Sequence, residues 1–364
     1  MKLRKVEQFS AGRGFFHSLA QETSRRRLKK FGIFSALVAL LVAAPAVYAD
    51  TDQNALVITA SNATANQLLV FNTAGRLIQT VSTQGKGGVS GNAGGIETNG
   101  DLVAVVNYGS QDVSIFERHD NSFQMKQMVP TVSNPVSVAF GAGHLYILGT
   151  TKVESHRLYG SDVSSNPDGV AALYVADGSA AQVGVLPGQL IITEKSAVIE
   201  TVGLLSDGSV SGIATLAQNI PANPMAPFGL VTRGNDAYVT IAHSNEITLV
   251  RDGKVLTVTG SGTQNAPCWL ALMGPFLFSS NSPSMSVSRY AVYGQKIVQD
   301  AAVAASLNGD PTDIASGGGL AAVIDSGGHL SIFRVDEDGN LTLLQTASTI
   351  PAAANGVAIV WDKD

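Results

Sequence analysis

Seven polar residues close seven short apolar runs in this chain: Ser61, Asn107, Thr150, Lys195, His243, Asn281 and Asp325. The runs read LVITAS (56–61), LVAVVN (102–107), LYILGT (145–150), LIITEK (190–195), YVTIAH (238–243), FLFSSN (276–281) and LAAVID (320–325). Together they supply an ammonium, an imidazole and a carboxylate, with Glu194 adjacent in sequence and Asp313 near in repeat position. Such groups suit general-base hydrolysis, in which a base activates water and donors or positive charge hold the developing oxyanion. His243 is the candidate base, Lys195 the oxyanion partner, and Asp325 or Glu194 the orienting carboxylate. Polar residues also gather wherever strands leave a sheet for water, so plain strand ends predict the same pattern.

What positions these residues is a repeat. The starts of the seven runs lie 46, 43, 45, 48, 38 and 44 residues apart, the period of a four-stranded propeller blade. Ahead of the last six runs comes a shorter segment ending in a glycine turn, as in GGIETNG, PVSVAFGAG, AAQVGVLPG, PFGLVTRG, PCWLALMG and PTDIASGGG. Behind most of them lies an alternating strand such as DVSIFER, EITLVR or LSIFRV. A fourth strand follows a tight turn in SDGSVSGIATLA, RDGKVLTVTG and EDGNLTLLQTA, where Asp-Gly supplies positive φ. The first copy lacks its innermost strand, and ANGVAIVW (354–361) is a spare at the other end. The expected fold is an all-β, seven-bladed β-propeller, closed by the C-terminal strand joining the N-terminal blade. The third repeat carries an extra loop around Gly160 to Gly169 whose host strand the pattern leaves open.

The segments NPVSVAF with LYIL, QLIITEKSAVIETVGLLSDG, APFGLV, and APCWLAL followed by FLFSSNSPSMSVSRYAV carry a family resemblance. They resemble the bacterial seven-bladed propellers of the lactonase-like group, related to 6-phosphogluconolactonase and carboxymuconate cyclase, in an exported branch. The resemblance spans essentially the whole chain from residue 50 onward. It implies the propeller fold and, more loosely, lactone chemistry. In the characterised enzyme branches, a strand opening with Pro-Arg-His and a later Asn-Glu help line the site. Here the matching openings read Pro227-Phe228-Gly229 and Pro267-Cys268-Trp269, and Ala242 stands where the Glu belongs. Two readings follow. One is a binding propeller that uses the channel-mouth face, with Asn107, Asn281, Trp269, Phe228 and Asp313 as ligand-binding residues for a lactone-like small molecule or another protein. The other is a cofactor-free lactone hydrolase or cycloisomerase with His243 as base.

Composition narrows the classes further. Residues 1–49 hold nine Lys/Arg and two acids, then the apolar run FGIFSALVALLVAA and a small-residue cleavage pattern before Asp50. This reads as a signal peptide, of twin-arginine type by SRRRLKK or of the ordinary Sec type by its apolar run, with an uncleaved anchor as the alternative. Residues 50–364 form the propeller, and a periplasmic or secreted location without stable membrane insertion after cleavage is expected. Of the 23 Lys/Arg and 28 Asp/Glu, the segment from Asp50 keeps a net charge of −12, which repels phosphate backbones and excludes nucleic acid as an expected partner. The single cysteine, Cys268, allows no internal disulfide and lies in an apolar strand beside Trp269. No GxSxG, HExxH, CxxC or phosphate-binding loop occurs. Asn107, Asn281, Asp325 and Glu194 could offer oxygens to a metal, but no acidic cluster supports one, so neither metal nor cofactor is expected.

Overall fold

The computed structural model describes residues 55–220, 225–347 and 350–361. The expected leader, 1–49, lies outside them. Seven antiparallel sheets account for the strands. Their innermost strands are Asn355–Val360, Ile96–Asn99, Pro135–Gly141, Ala180–Leu186, Pro227–Arg233, Pro267–Met273 and Pro311–Gly317, for blades 1 to 7 in turn. Blade 1 is closed as the repeat requires: Asn355–Val360 pairs antiparallel with Leu56–Ala60, placing Val57 opposite Ile359 and Ile58 opposite Ala358.

The second strand of each blade is buried along nearly its whole length. Leu102–Asn107, His144–Gly149 and Leu320–Asp325 have no exposed position. A strand sandwiched between neighbouring blades has two apolar faces, which is why these runs show no alternation. The blade-to-blade core lies here, with Tyr146, Tyr238, Tyr290, Phe71 and Phe116 fully buried. Outer strands alternate, as in Leu77–Ser82, and carry the solvent face.

Blade 3 answers the question its insertion raised. The loop interrupts the outermost strand, splitting it into Asp162–Val163 and Gly169–Ala172, both paired with Lys152–Tyr159. Asp168, at the end of that loop, accepts hydrogen bonds from Ser155 Oγ at 2.6 Å and from His144 Nε2 at 2.8 Å, and pairs with Arg157 Nε at 3.3 Å. His144 is fully buried. Blade 4 differs from expectation in turn. Its fourth strand shrinks to Thr215–Leu216, because the residues after the Asp207-Gly208 turn are drawn onto blade 3. There Val210 N bonds Ser155 Oγ, Tyr146 Oη bonds Gly208 O, and Ala214 N bonds Ala172 O.

Candidate functional site

The upper face of the ring is defined here as the one where innermost strands begin and second strands end. Strand pairing fixes which residues are equivalent there. Gly149, Glu194, Ile241, Asn281 and Asp325 each lie opposite the first residue of their blade's innermost strand. Lys195 therefore sits one residue past that position and His243 two, inside a 3-10 turn, Ala242–Ser244. The seven polar residues do not form a ring of equivalent positions.

Most of their side chains are occupied in folding the turn that follows. Asn107 donates to Asp112 Oδ1 and Ser114 Oγ, both at 2.7 Å, and accepts from Asn66 Nδ2. Asn281 donates to Ser288 Oγ at 2.8 Å and Ser286 Oγ at 3.1 Å. Asp325 accepts from the N–H groups of Gly327 and His329 and pairs with His329 Nδ1 at 2.9 Å. Glu194 accepts from Ser179 Oγ at 2.9 Å, while its Oε1 is buried with no partner. Burial pushes the Glu194 carboxyl up to about 8, a poor state for an anionic orienting group. His243 is exposed. Among the described residues, no hydrogen bond or ion pair joins His243 to Lys195, Glu194 or Asp325. No such bond assembles the proposed catalytic grouping: Glu194 ends a strand of blade 4 and Lys195 follows it, His243 lies in the 3-10 turn of blade 5, and Asp325 ends a strand of blade 7.

Lys195 has a different task. Its Nζ donates to Gly91 O at 2.5 Å and Ala180 O at 3.3 Å, and burial lowers its pKa. Gly91 begins a segment, 91–95, that crosses the upper end of the channel. Asn92 donates to Val136 O in blade 3, exchanges side-chain hydrogen bonds with Asn355 in blade 1, and accepts the indole N–H of Trp269 at 3.0 Å. Ala93 N reaches Ala181 O in blade 4. Phe228 packs edge-on against Trp269 with ring centroids 5.3 Å apart, and both are nearly buried. The upper mouth is closed by this plug.

Below it lies a cavity of about 410 Å³ inside the ring, within the usual range for a small-molecule site. In several innermost strands side chains grow more accessible toward the lower end, as from Leu230 to Val231 and Thr232, or from Ala271 to Leu272 and Met273. The cavity therefore opens at the face opposite the plug, where Phe140 and Trp361 also line it.

The position of its polar groups follows from how an innermost strand completes its hydrogen bonds. Each is the edge of its sheet, so N–H groups facing the next blade need acceptors. A β-bulge follows the first residue of most of these strands, and Pro135, Pro227, Pro267 and Pro311 occupy that first place, where an N–H is dispensable. Past the bulge, one blade serves the next. Val138 N bonds Gly94 O, Val183 N bonds Ser137 Oγ, Leu230 N bonds Gln182 Oε1, and Val357 N bonds Asp313 Oδ2 at 3.1 Å. Asp313 also accepts from Ile314 N at 2.8 Å.

Asp313 shares the cavity wall with a second acid, Glu97, from blade 2. Glu97 keeps part of its surface, but that surface faces the channel, and protein surrounds it otherwise. Burial raises its pKa to about 7 against the pull of the Thr98 N–H. Burial likewise raises Asp313 to about 7, opposed by the Ile314 and Val357 N–H groups and reinforced by the charge of Glu97. Among the described lining residues there is no Lys, Arg or His. Arg233, at the lower end of its strand, turns outward to Gly274 O and Tyr238 Oη.

Of the residues read as ligand-binding, Trp269 and Asp313 line this cavity, Phe228 helps close it, and Asn107 and Asn281 end strands and brace the turns that follow. Glu97 was missed. Its signal was the acid in the short innermost segment IETN, matched by Asp313 in PTDIASG.

Fold and channel together define a seven-bladed β-propeller with a central cavity. The chain is similar in structure to a 6-phosphogluconolactonase candidate from Bacteroides fragilis, with a TM-score of 0.62 and 14% identity over 86% of this chain and 99% of that one. A second such candidate, from Bacteroides uniformis, matches with a TM-score of 0.62 and 16% identity over 85% and 100%. A functionally unknown protein from Desulfotomaculum acetoxidans matches with a TM-score of 0.64 and 13% identity over 85% and 100%. At such identities the likeness is one of fold. No protein-family model matches the sequence, and no curated protein is similar to it.

Proposed function

We propose that this chain is an exported binding propeller that takes a small molecule in its central cavity. The observation that carries the reading is the cavity itself: closed above by the 91–95 plug, open below, and walled by apolar strands that converge two carboxyl groups. Recognition sites of this form are mostly apolar with a few placed polar groups.

Lactone hydrolysis is the competing reading, and one feature favours it. A carboxyl titrating near 7 is suited to take a proton from water. The cavity wall, however, brings no cationic side chain to an oxyanion or to the phosphate of a sugar-phosphate lactone. The upper-face residues supply no assembled base.

The test pairs a thermal-shift screen of small metabolites with turnover on a panel of aliphatic and sugar lactones. Binding predicts stabilising ligands whose effect disappears in Thr232→Phe, which narrows the lower mouth, and no turnover. Turnover lost in Glu97→Gln would assign hydrolysis to the cavity. Turnover lost in His243→Ala would return it to the upper face and overturn the present reading.

A further inference from the structure

We propose that the ligand of the central cavity is an organic cation, a small amine or quaternary ammonium compound; this rests on reading the channel as the ligand site. The cavity encloses two carboxyl groups and no compensating positive charge among its described lining residues. Buried anions without a partner are costly, and a bound ammonium group offsets that cost directly. The overall charge of −12 from Asp50 onward also favours approach of cations over anions.

The remaining walls fit the same ligand. The chain has two tryptophans, Trp269 and Trp361, and both line the cavity. Trp269 has already spent its N–H on Asn92 O, so what it offers a ligand is its electron-rich ring, the best aromatic surface for a cation. Apolar side chains such as Val185, Leu230 and Leu272 complete an environment suited to the carbon skeleton of an amine.

Other ligand classes fit less well. A neutral polyol needs many free hydrogen-bonding partners, but several here are engaged. Ser316 Oγ donates to Leu272 O, Gln182 Oε1 accepts from Leu230 N, and both oxygens of Asp313 accept backbone N–H groups. An inorganic divalent ion takes six or more oxygens. No group of three or more His, Cys, Asp or Glu positioned to hold a metal occurs among the described residues. A cavity of about 410 Å³ is also far larger than one such ion requires.

The two tryptophans make the experiment direct, because emission excited at 295 nm comes from the two cavity-lining indoles and not from the tyrosines. The purified protein would be titrated at pH 8 with tetramethylammonium, choline and 1,4-diaminobutane, and in parallel with neutral xylitol and anionic gluconate. Saturable emission changes are expected from the ammonium compounds only. Their affinity should fall roughly tenfold in Glu97→Gln and again roughly tenfold on lowering wild type to pH 6, where Glu97 and Asp313, the titratable groups of the wall, take up protons. Near-ultraviolet circular dichroism checks that Glu97→Gln is folded, and Asp313→Gln serves as the second variant. Saturation by xylitol or gluconate instead of the ammonium compounds would overturn the cation and leave the cavity reading standing. If no compound of any class alters either tryptophan, both fall.

Discussion

Glu97→Gln should make the protein more stable at alkaline pH, and the size of the effect follows from where the carboxyl sits. Its folded-state pKa is about 7 against an ordinary 4.5. The unfolded chain therefore gives up this proton at lower pH than the folded one. Between about pH 4.5 and pH 7 the unfolded state binds fewer protons, so stability falls as pH rises, and above pH 7 the loss is complete. Taken at face value the loss is about 3 kcal/mol. Channel water reaches part of the side chain, which brings the expected figure nearer 1–2 kcal/mol. Glutamine keeps the shape and removes the ionisation. Asp313 contributes a slope of the same sign, since it too is raised to about 7, from an ordinary 3.8. Part of that rise comes from the charge of Glu97, so the variant should lose more than its own share of the slope. Urea denaturation of wild type and variant at intervals from pH 5 to 8.5 measures this. At pH 5 the two should be nearly equal; at pH 8 the variant should be ahead by about 1–2 kcal/mol. Parallel curves, or a variant less stable at pH 8, would show that the carboxyl is solvated or compensated and would remove the electrostatic basis for a cationic ligand.

Three further outcomes are expected. Asp313→Gln should retain the ring, because Gln182 performs the same service in blade 4, and its loss of stability at pH 6 should stay within about 1 kcal/mol; failure to fold would make the acid structural. Gly229→Ala should cost about 2 kcal/mol or more by chemical denaturation, since a Cβ there would lie 2.2 Å from Cys268 O and 2.9 Å from Trp269 Cα; a neutral result would mean that the plug region can yield. Asp168→Ala should cost about 2–3 kcal/mol by leaving Ser155 Oγ and the buried His144 Nε2 without their acceptor, and limited proteolysis should then cut within 160–169; unchanged resistance there would mean that Asp168 does not hold the loop.

The sequence carries the architecture far better than the site, for a physical reason visible in individual strands. The recurring apolar runs, the Gly-bounded segments before them and the spare ANGVAIVW mark blade number and closure, because each reflects burial of a whole element. The phase of a strand is another matter. LIITEK is buried on both faces through Glu194, so its residues show no period-2 alternation from which to tell which of Glu194 and Lys195 matches Asn281 or Asp325. In YVTIAH the strand ends at Ile241, two residues before the histidine that seemed equivalent. A slip of one residue turns a side chain to the opposite face, as at Thr150 and Lys195, and with His243 two residues beyond its strand these displacements create a ring of polar groups that does not exist. The plug is likewise illegible: Gly91-Asn92-Ala93-Gly94-Gly95 reads as a flexible loop, and its order comes from contacts with blades 1, 3, 4 and 6.

The belt of hydrogen bonds inside the channel separates what the fold needs from what it does not. At equivalent positions, blade 3 presents Ser137, blade 4 presents Gln182 and blade 7 presents Asp313, and each satisfies an N–H of the next blade. Two of the three do so without charge, so a neutral acceptor is sufficient and the carboxyl at 313 exceeds what closing the ring requires. Glu97 is further from structural necessity, since its carboxyl meets only the Thr98 N–H among the causes that lower its pKa. Both acids are raised by burial into the range where their ionisation opposes folding. Charges that the architecture can do without, placed where they weaken it and facing one cavity that both indoles line, fit the proposed cationic ligand, which would enter that space and neutralise them.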